Sequence, residues 1–284
     1  MSRETVIGVD LGGTNVRAGL VTGGRLTKVR SVAVRSQGSE RDVLEDMFSA
    51  IDSVISDGVA GLGAGVPSVI DLKAGIVYDV QNIRSWKKVP LKAYLEERYQ
   101  LPVYVNNDAN CFAAGEKYFG KAKPFEHAVG LILGTGLGAG VIANGRLYSG
   151  INCGAGEFGM LPYLDRNFEA YASGQFFERV HGVSGREAAA RAERGDRKAL
   201  EIFAEYGRHL GQAVKAICYA VDPEVIVLGG SVSKSFRFFS TAMWEAFQTF
   251  AYSLAKERLK IEVSETENVA ILGAAALYYD ALAK

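Results

Sequence analysis

Two glycine-rich turns in this sequence have the composition of an anion-binding site. The first is Asp10-Leu-Gly-Gly-Thr-Asn15 and the second is Leu133-Gly-Thr-Gly-Leu-Gly138, and each joins two short apolar segments. Glycine adopts positive φ and lets backbone N–H groups approach an anion closely, so turns of this kind can bind phosphate. With Gly12 aligned to Gly134, the apolar segments on both sides align as well. We therefore expect a duplicated structure whose two turns bind one polyphosphate.

Neither turn matches a better-known glycine motif. The P-loop sequence G-x-x-x-x-G-K-[ST] is absent. Gly134–Gly138 resembles part of the dinucleotide fingerprint, but the strand-like segment 139–142 follows where that fingerprint needs a helix. One such turn alone is most often an ordinary hairpin. The duplication, with Asp10 at the end of the first strand, favours phosphate binding.

A second candidate site lies where a predicted strand precedes a helix, at Asn106-Asn107-Asp108. Ligands of α/β sheets bind at the carboxyl ends of strands, so Asp108 is positioned to act as a base. Phosphorylation of a sugar hydroxyl requires a carboxylate that takes its proton, and the Asn107 amide could hold neighbouring hydroxyls. The alternative is that Asp108 only caps the helix, because Asp is a favoured N-cap residue.

Further polar residues lie in predicted loops, and each also has a purely structural interpretation. Glu157 and Glu169 could accept hydrogen bonds from vicinal hydroxyls, or they could be solvated loop residues. Asn82 is a candidate loop contact. Gly229-Gly230-Ser231 follows an apolar strand and could let a nucleoside lie against the backbone, or it could form an ordinary strand-to-helix turn.

Two stretches of the chain repeat one order of predicted elements. Each begins with three antiparallel strands, at 6–10, 15–21 and 26–34 and again at 128–133, 137–143 and 146–148. Ser39 to Asp42 predicts a capping box that opens the first helix. Residues 149–175 are expected to be an irregular insertion, and helices are expected at 235–256 and 272–283. Because no low-complexity linker separates the halves, we expect an α/β protein whose halves meet at a cleft.

Composition restricts the function classes. The 284 residues carry 32 basic and 32 acidic side chains, so no nucleic-acid-binding face is indicated. The 48% apolar and 23% charged content is typical of a globular protein. We expect no signal peptide before the first strand, and no apolar run approaches the roughly 18 residues that cross a membrane. We expect a cytoplasmic protein without membrane partners, whose Cys111, Cys153 and Cys218 are free thiols.

Taken in order along the chain, the motifs resemble those of the ROK family (repressors, open reading frames and sugar kinases) of the actin/hexokinase-like ATPase superfamily. The glycine turns resemble its two phosphate motifs, Val227–Ser231 resembles its adenosine motif, and Val105–Asn110 resembles the segment with the catalytic aspartate. The resemblance covers nearly the whole chain. Segments similar to the family's sugar site are Gly65–Pro67, Asn82–Trp86, Gly156–Gly159 and Phe168–Gly174.

The resemblance implies an α/β, two-lobed actin-like ATPase (ribonuclease H-like) fold with a duplicated βββαβα core and a ligand cleft between the lobes. The N-terminal lobe is expected at 1–108, completed by a C-terminal helix at 272–284, and the C-terminal lobe at 109–271. A homodimer is expected on the same ground.

The resemblance also implies ATP-dependent phosphorylation of the C6 hydroxyl of a hexose. Glucose is the leading substrate, and N-acetylmannosamine, another N-acetylhexosamine or fructose are alternatives. Asp108 would be the catalytic base, and Asp10 would orient Mg²⁺ through water. The implied ATP- and phosphate-binding residues are Asp10, Gly12, Gly13, Thr14, Asn15, Gly134, Thr135, Gly136, Gly229, Gly230 and Ser231. The implied sugar-binding residues are Gly65, Asn82, Asn107, Asp108, Glu157 and Glu169.

One stretch departs from the family pattern. In many members a histidine that binds sugar and zinc follows Gly-Glu-Phe-Gly, and a cysteine cluster that ligates the zinc comes next. Here Met160 stands at the histidine position, and Leu161–Asn167 contains no cysteine. Cys153 has no partner at zinc-site spacing. We therefore predict no structural zinc, and the identity of the sugar stays open.

Two other function classes are compatible with the family. Its transcription repressors carry a helix-turn-helix segment before the sugar domain, whereas only residues 1–5 precede the first predicted strand here. A non-catalytic sugar-binding protein is the other alternative, and the presence of Asp10, both glycine turns and Asp108 argues against it.

Overall fold

A computed structural model describes residues 4–283. The strands, in chain order, are β1 (Thr5–Leu11), β2 (Asn15–Thr22), β3 (Arg25–Ala33), β4 (Val59–Val66), β5 (Val69–Asp71), β6 (Ile76–Tyr78), β7 (Lys88–Val89), β8 (Val103–Asn107), β9 (Ala128–Leu133), β10 (Leu137–Ala143), β11 (Arg146–Tyr148), β12 (Pro162–Tyr163), β13 (Arg166–Asn167), β14 (Val225–Gly229) and β15 (Lys260–Val263). The α-helices are α1 (Glu40–Asp52), α2 (Leu91–Tyr99), α3 (Asp108–Phe119), α4 (Phe168–Ala172), α5 (Gln175–His181), α6 (Gly185–Glu193), α7 (Arg197–Val221), α8 (Phe236–Phe247), α9 (Ser253–Arg258) and α10 (Val269–Leu282).

The chain forms two compact units. Unit 1 comprises the residues up to Pro124, Gly140–Ala155 and the residues from Glu265 onward. Unit 2 comprises Phe125–Ala139 and Gly156–Ser264. By compactness, α3 therefore belongs to unit 1, whereas the lobe boundary expected at residue 108 assigns it to the second lobe.

The main sheet of unit 1 has the strand order β3-β2-β1-β4-β8. β1, β2 and β3 are antiparallel, and β4 and β8 run parallel to β1. Along the parallel strands, Asp10 is paired with Gly65, and Gly65 with Asn106. The carboxyl ends of three strands therefore lie at one edge of this sheet.

The other five-stranded sheet repeats this topology, with the order β11-β10-β9-β14-β15. β10 and β11 are antiparallel, whereas β14 is parallel to both β9 and β15. The boundary between the two units falls within β10. The repeated strand order confirms the duplication that the two glycine turns predict.

Helix α10 packs unusually closely on the strands of unit 1. A Cβ on Gly8 in β1 would overlap the Ile271 carbonyl of α10, and a Cβ on Gly63 in β4 would overlap the Ala274 carbonyl. Because Gly8 and Gly63 are paired across the sheet, they form a flat patch that admits the helix backbone. α1 is held by the predicted capping box, in which the Ser39 side chain accepts from the Asp42 amide. The core of this unit includes Ile7, Val9, Met47, Ile51, Leu62 and Trp86.

Two segments differ from the sequence predictions. The helix expected at 235–256 is interrupted after Phe247, because Phe250 turns back to stack on the Phe247 ring at 5.2 Å and to contact Tyr219 at 4.4 Å between ring centroids. The insertion expected to be irregular contains the β12–β13 hairpin and helix α4. The first difference arises from tertiary contacts that local sequence patterns do not report. The second is a local hairpin whose two-residue turn places Leu164 at φ of +52°, without the glycine or asparagine that usually marks such a turn.

Across residues 4–283, no α-helix combines the length and the apolar character that crossing a bilayer requires.

Gly63→Ala should lower the free energy of unfolding by about 3 kcal/mol or more, because the added methyl group would overlap the backbone of α10. Gly154→Ala is the matched control, since a Cβ there meets nothing within 4 Å, and its effect should stay within about 0.5 kcal/mol. Urea unfolding of both variants measures the difference. Similar small effects in both would contradict the packing of α10.

Candidate functional site

The first glycine turn lies in unit 1, between β1 and β2. The Gly12 amide donates to the Asn15 carbonyl at 2.9 Å and closes the turn. A Cβ on Gly13 would lie only 2.6 Å from the Cβ of Asn82, so Asn82 packs directly against the turn. Thr14 and Asn15 remain exposed. The turn is thus supported on one side and accessible to a ligand at Thr14.

Asp10 forms an ion pair that the sequence analysis missed. The Nη2 and Nε atoms of Arg17 donate to Oδ2 of Asp10 at 2.6 and 3.1 Å. Asp10 and Arg17 are directly opposite in the antiparallel β1–β2 ladder. Counting outward from the turn would have found this pair, because residues equally far from a hairpin turn face each other.

Asp108 is the first residue of α3 and directly follows β8. The N-cap of α3 is Asn107, whose Oδ1 accepts from the Asn110 amide at 2.7 Å. The alternative in which Asp108 serves only as the cap is therefore wrong, because the neighbouring Asn107 side chain fills that role.

Gly65 lies on the strand between Asp10 and Asn106, and a Cβ there would lie 3.0 Å from Sγ of Cys111.

Two effects raise the pKa of the Asp108 carboxyl above its ordinary value. The larger is desolvation by the surrounding protein, and the other is the negative charge of Asp10. A hydrogen bond from the Ala109 amide to Oδ1 of Asp108, at 2.9 Å, opposes them by stabilising the carboxylate. Although protein atoms surround the carboxyl on most sides, the residue still presents surface to solvent. Accessibility combined with a raised pKa is what a general base requires.

The second glycine turn lies in unit 2, between β9 and β10, and the α4–α5 junction fixes its backbone. The Gly174 amide donates to the Gly134 carbonyl at 2.7 Å. The Ser173 hydroxyl donates to the Thr135 carbonyl at 3.0 Å. Because these bonds use carbonyl oxygens of the turn, they leave its amide groups for other partners. Among the amide groups of the turn, that of Gly134 donates to the Gly136 carbonyl at 3.1 Å.

Glu169, a predicted sugar ligand, contacts this same turn. Its Oε2 accepts from the Leu137 amide at 3.1 Å, and a Cβ on Gly136 would lie 2.5 Å from that oxygen. Its Oε1 accepts from Nε2 of Gln175 at 3.2 Å. Glu169 therefore helps to fix the second turn, and sugar binding by its carboxylate stays a prediction.

Glu157 and Met160 are exposed residues at a short 3₁₀ turn, Phe158–Met160. The following hairpin is attached to α7 by Tyr163, whose hydroxyl lies 3.0 Å from Nδ1 of His209. The Tyr163 ring also stacks on Phe168, with 4.5 Å between centroids. Aromatic packing thus holds this segment. In the part of the chain that the structure describes, no group of three or more His, Cys, Asp and Glu side chains is arranged to hold a metal ion.

A cavity of about 710 Å³ opens beside the second turn. Its volume lies within the range of roughly 300–1,000 Å³ that is usual for small-molecule sites. Of the predicted residues, Gly134, Thr135 and Ser231 line it. Its other lining residues include the apolar side chains Phe177, Ala189 and Phe203 and the exposed cations Arg186 and Lys234. No motif marks these residues in the sequence, because α5 and α6 bring most of them to the cavity.

Gly230 brings the end of β14 close to the end of β9. Its φ is +85°, and a Cβ there would overlap the backbone of Leu133. The Gly230 carbonyl accepts from the Ser233 hydroxyl at 2.8 Å. A glycine is required at this position, and it places Ser231 beside the second turn in the wall of the cavity.

Comparison with known proteins identifies the relatives of this chain. The sequence model of the ROK family matches residues 6–281. A glucokinase from Thermotoga maritima is 30% identical and aligns over 98% of this chain and 98% of its own length. The xylose repressor of Bacillus subtilis is 27% identical over 90% of this chain and 71% of its own length. A solved structure is also similar, the crystal structure of a ROK family glucokinase from Streptomyces griseus in complex with glucose and AMPPNP. Its sequence is 27% identical to this chain, and the match covers 96% of this chain and 98% of the glucokinase chain, with a TM-score of 0.79. These matches confirm the predicted resemblance and the actin-like α/β fold.

Asp108→Asn should change stability in a pH-dependent way. Below the ordinary carboxyl pKa of 3.8, Asp108 is protonated whether the protein is folded or unfolded, so ionisation contributes nothing to the difference between wild type and variant. As the pH rises from 3.8 through the raised pKa of the folded state, the wild type loses stability, because the unfolded chain ionises more readily. Asparagine does not ionise, so the variant should gain stability relative to wild type between pH 3 and pH 7. Urea unfolding across this range measures the gain, and a difference that does not vary with pH would contradict it.

Proposed function

The chain belongs to the ROK family, and we propose that it is an ATP-dependent hexose kinase that transfers the γ-phosphoryl group of ATP to the C6 hydroxyl of a hexose. Glucose is the proposed substrate. The Thermotoga maritima relative is a glucokinase, and the Streptomyces griseus structure contains glucose together with an ATP analogue. Both support this choice over the other hexoses.

The observation that carries the proposal is the environment of Asp108. Its carboxyl combines a raised pKa with access to solvent, and it lies at the sheet edge where β1 and β4 also end. A base for a sugar hydroxyl needs these properties, because it must take the proton as the bond to phosphorus forms. Asp108 would accept the proton of the C6 hydroxyl, and the amide of Asn107 would hold a neighbouring hydroxyl.

The residues of unit 1 also suit a magnesium–nucleotide complex. Mg²⁺ is usually bound through one or two carboxylates together with waters and substrate phosphates. Asp10 provides such a carboxylate beside the first turn, and Arg17 fixes its orientation through two hydrogen bonds. When bound through water to Asp10, Mg²⁺ would neutralise charge on the transferring phosphoryl group. The backbone amides of the first glycine turn would contribute further electrostatic stabilisation.

The 710 Å³ cavity of unit 2 is the proposed nucleotide site. Ala189 provides partly exposed apolar surface for the base, and the buried rings of Phe177 and Phe203 belong to the same lining. Backbone amides of the second glycine turn would bind the phosphates. Arg186 and Lys234 are local cationic partners for phosphate oxygens, and Glu178 and Glu193 in the same lining offset their net charge. The contacts of Glu169 and Gly174 with the second turn would keep it in its binding conformation.

There are two alternatives to a glucose kinase, one with another sugar as substrate and one without kinase activity. N-acetylmannosamine, another N-acetylhexosamine or fructose would replace glucose if the exposed Met160 reshapes the segment near Glu157. The similarity to the Bacillus subtilis xylose repressor supports a second candidate, a sugar-responsive protein without kinase activity. Turnover of ATP in the presence of sugar separates the second candidate from the kinase.

The wild type should form ADP from ATP when supplied with glucose, and should form it more slowly with the other hexoses and N-acetylhexosamines. Asp108→Asn should lower kcat by about 10² to 10⁴-fold, because the asparagine amide cannot accept the hydroxyl proton. Glucose binding should persist, since the amide can still form hydrogen bonds. A coupled ADP assay measures kcat, and isothermal titration measures binding.

Asp57→Asn is the matched control, because Asp57 is an exposed residue in the turn before β4. It should retain the turnover of the wild type. Comparable turnover by Asp108→Asn and wild type would overturn the assignment of the base. ATP turnover that no sugar stimulates would overturn the kinase proposal as a whole.

A further inference from the structure

A buried hydrogen-bonded cluster lies directly behind Asp108 in unit 1. Its centre is Asn106, which is 6% exposed. Its Oδ1 accepts from the Asn107 amide, from Nδ2 of Asn110 and from the Cys153 thiol, each at 2.9 Å. Its Nδ2 donates to the Ser149 hydroxyl at 3.0 Å. One amide side chain thus joins the end of β8, the first turn of α3 and the segment 149–153.

Two bonds of this cluster, with Asn107 and Asn110, act on the backbone that carries Asp108. The bond to the Asn107 amide fixes the peptide that precedes Asp108. The bond from Nδ2 of Asn110 secures the helix residue whose backbone amide donates the N-cap bond to Oδ1 of Asn107. The position of Asp108 is therefore determined from both sides by the orientation of the Asn106 amide.

The cluster is maintained despite two unfavourable local features. Cys153 has φ of +60°, a left-handed conformation that non-glycine residues rarely adopt. In the part of the chain that the structure describes, Oδ1 of Asn110 is a buried acceptor without a hydrogen-bond partner. Unfavourable conformations and unsatisfied groups of this kind concentrate at functional sites, where the surrounding structure holds them in place.

We infer that Asn106 and Cys153 are positioning residues for catalysis, which hold Asp108 in place through the hydrogen bond from the Cys153 thiol to Oδ1 of Asn106. This inference rests on the proposed function, because it assigns Asp108 the role of base. Catalysis by positioning is sensitive to small displacements, and a shift of about 1 Å can reduce the rate about 100-fold. The Cys153 sulfur also accepts from Nδ2 of Asn110 at 3.5 Å. A serine hydroxyl can both donate and accept, so it should be able to replace the thiol.

Three variants of the full chain test the inference. Cys153→Ala removes the donor, Cys153→Ser retains one, and Cys218→Ala controls for the loss of a buried thiol elsewhere, in α7. Cys153→Ala should lower kcat for hexose phosphorylation about 10-fold or more without changing KM for ATP. Cys153→Ser and Cys218→Ala should stay within about twofold of wild type.

Amide hydrogen exchange at 107–110 provides a readout that does not require activity. Cys153→Ala should accelerate exchange there, and Cys153→Ser should restore the protection of the wild type. If the wild type has no kinase activity but amide exchange at 107–110 is faster in Cys153→Ala, the positioning role of the cluster is supported and only the proposed function is rejected. Unchanged exchange and unchanged kcat in Cys153→Ala would overturn the inference. Equal losses of kcat and of exchange protection in Cys153→Ala and Cys153→Ser would also overturn the inference, because the hydrogen bond to Asn106 would then not account for the effect.

Discussion

The parallel register of β1, β4 and β8 is the constraint on which the chemistry of unit 1 depends. It pairs Asp10 with Gly65 and Gly65 with Asn106, so the two outer strands end about 10 Å apart, which is two strand spacings. No side chain rises from Gly65 between them. A slip of one residue in β8 would turn its side chains to the opposite face and displace the start of α3. Asp108 would then no longer lie at the edge of the sheet where β1 leads into the first glycine turn.

This placement has an electrostatic consequence. Desolvation is the larger cause that raises the pKa of Asp108, and the negative charge of Asp10 raises it further. Arg17 pairs with Asp10, and partly exposed ion pairs of this kind usually contribute at most about 1 kcal/mol to stability. The importance of Arg17 therefore lies in the charge and orientation that it gives to Asp10. The first glycine turn, the ion pair and Asp108 form one electrostatic unit on a single sheet.

The sequence was sufficient to predict the duplicated strands, because apolar segments on both sides of a glycine turn have few other arrangements. It was not sufficient to place the helix break at Gln248–Tyr252, since aromatic packing with distant residues produces that break. Local composition permitted either Asn107 or Asp108 to cap α3, and only the backbone geometry distinguishes them. Arg186 and Lys234 could not be found, because no motif surrounds them and tertiary structure alone brings them to the cavity.

If Asp108 and the residues around it serve the proposed phosphoryl transfer to the C6 hydroxyl of a hexose, the identity of the product is the most direct test. The wild type would be incubated with ATP, Mg²⁺ and glucose labelled with ¹³C at C6, and the reaction would be followed by ¹³C and ³¹P NMR. We expect a phosphorus resonance coupled to C6 and an amount of ADP equal to that of the phosphorylated sugar. Unchanged glucose with ADP and free phosphate, or a phosphoryl group on another carbon, would contradict it.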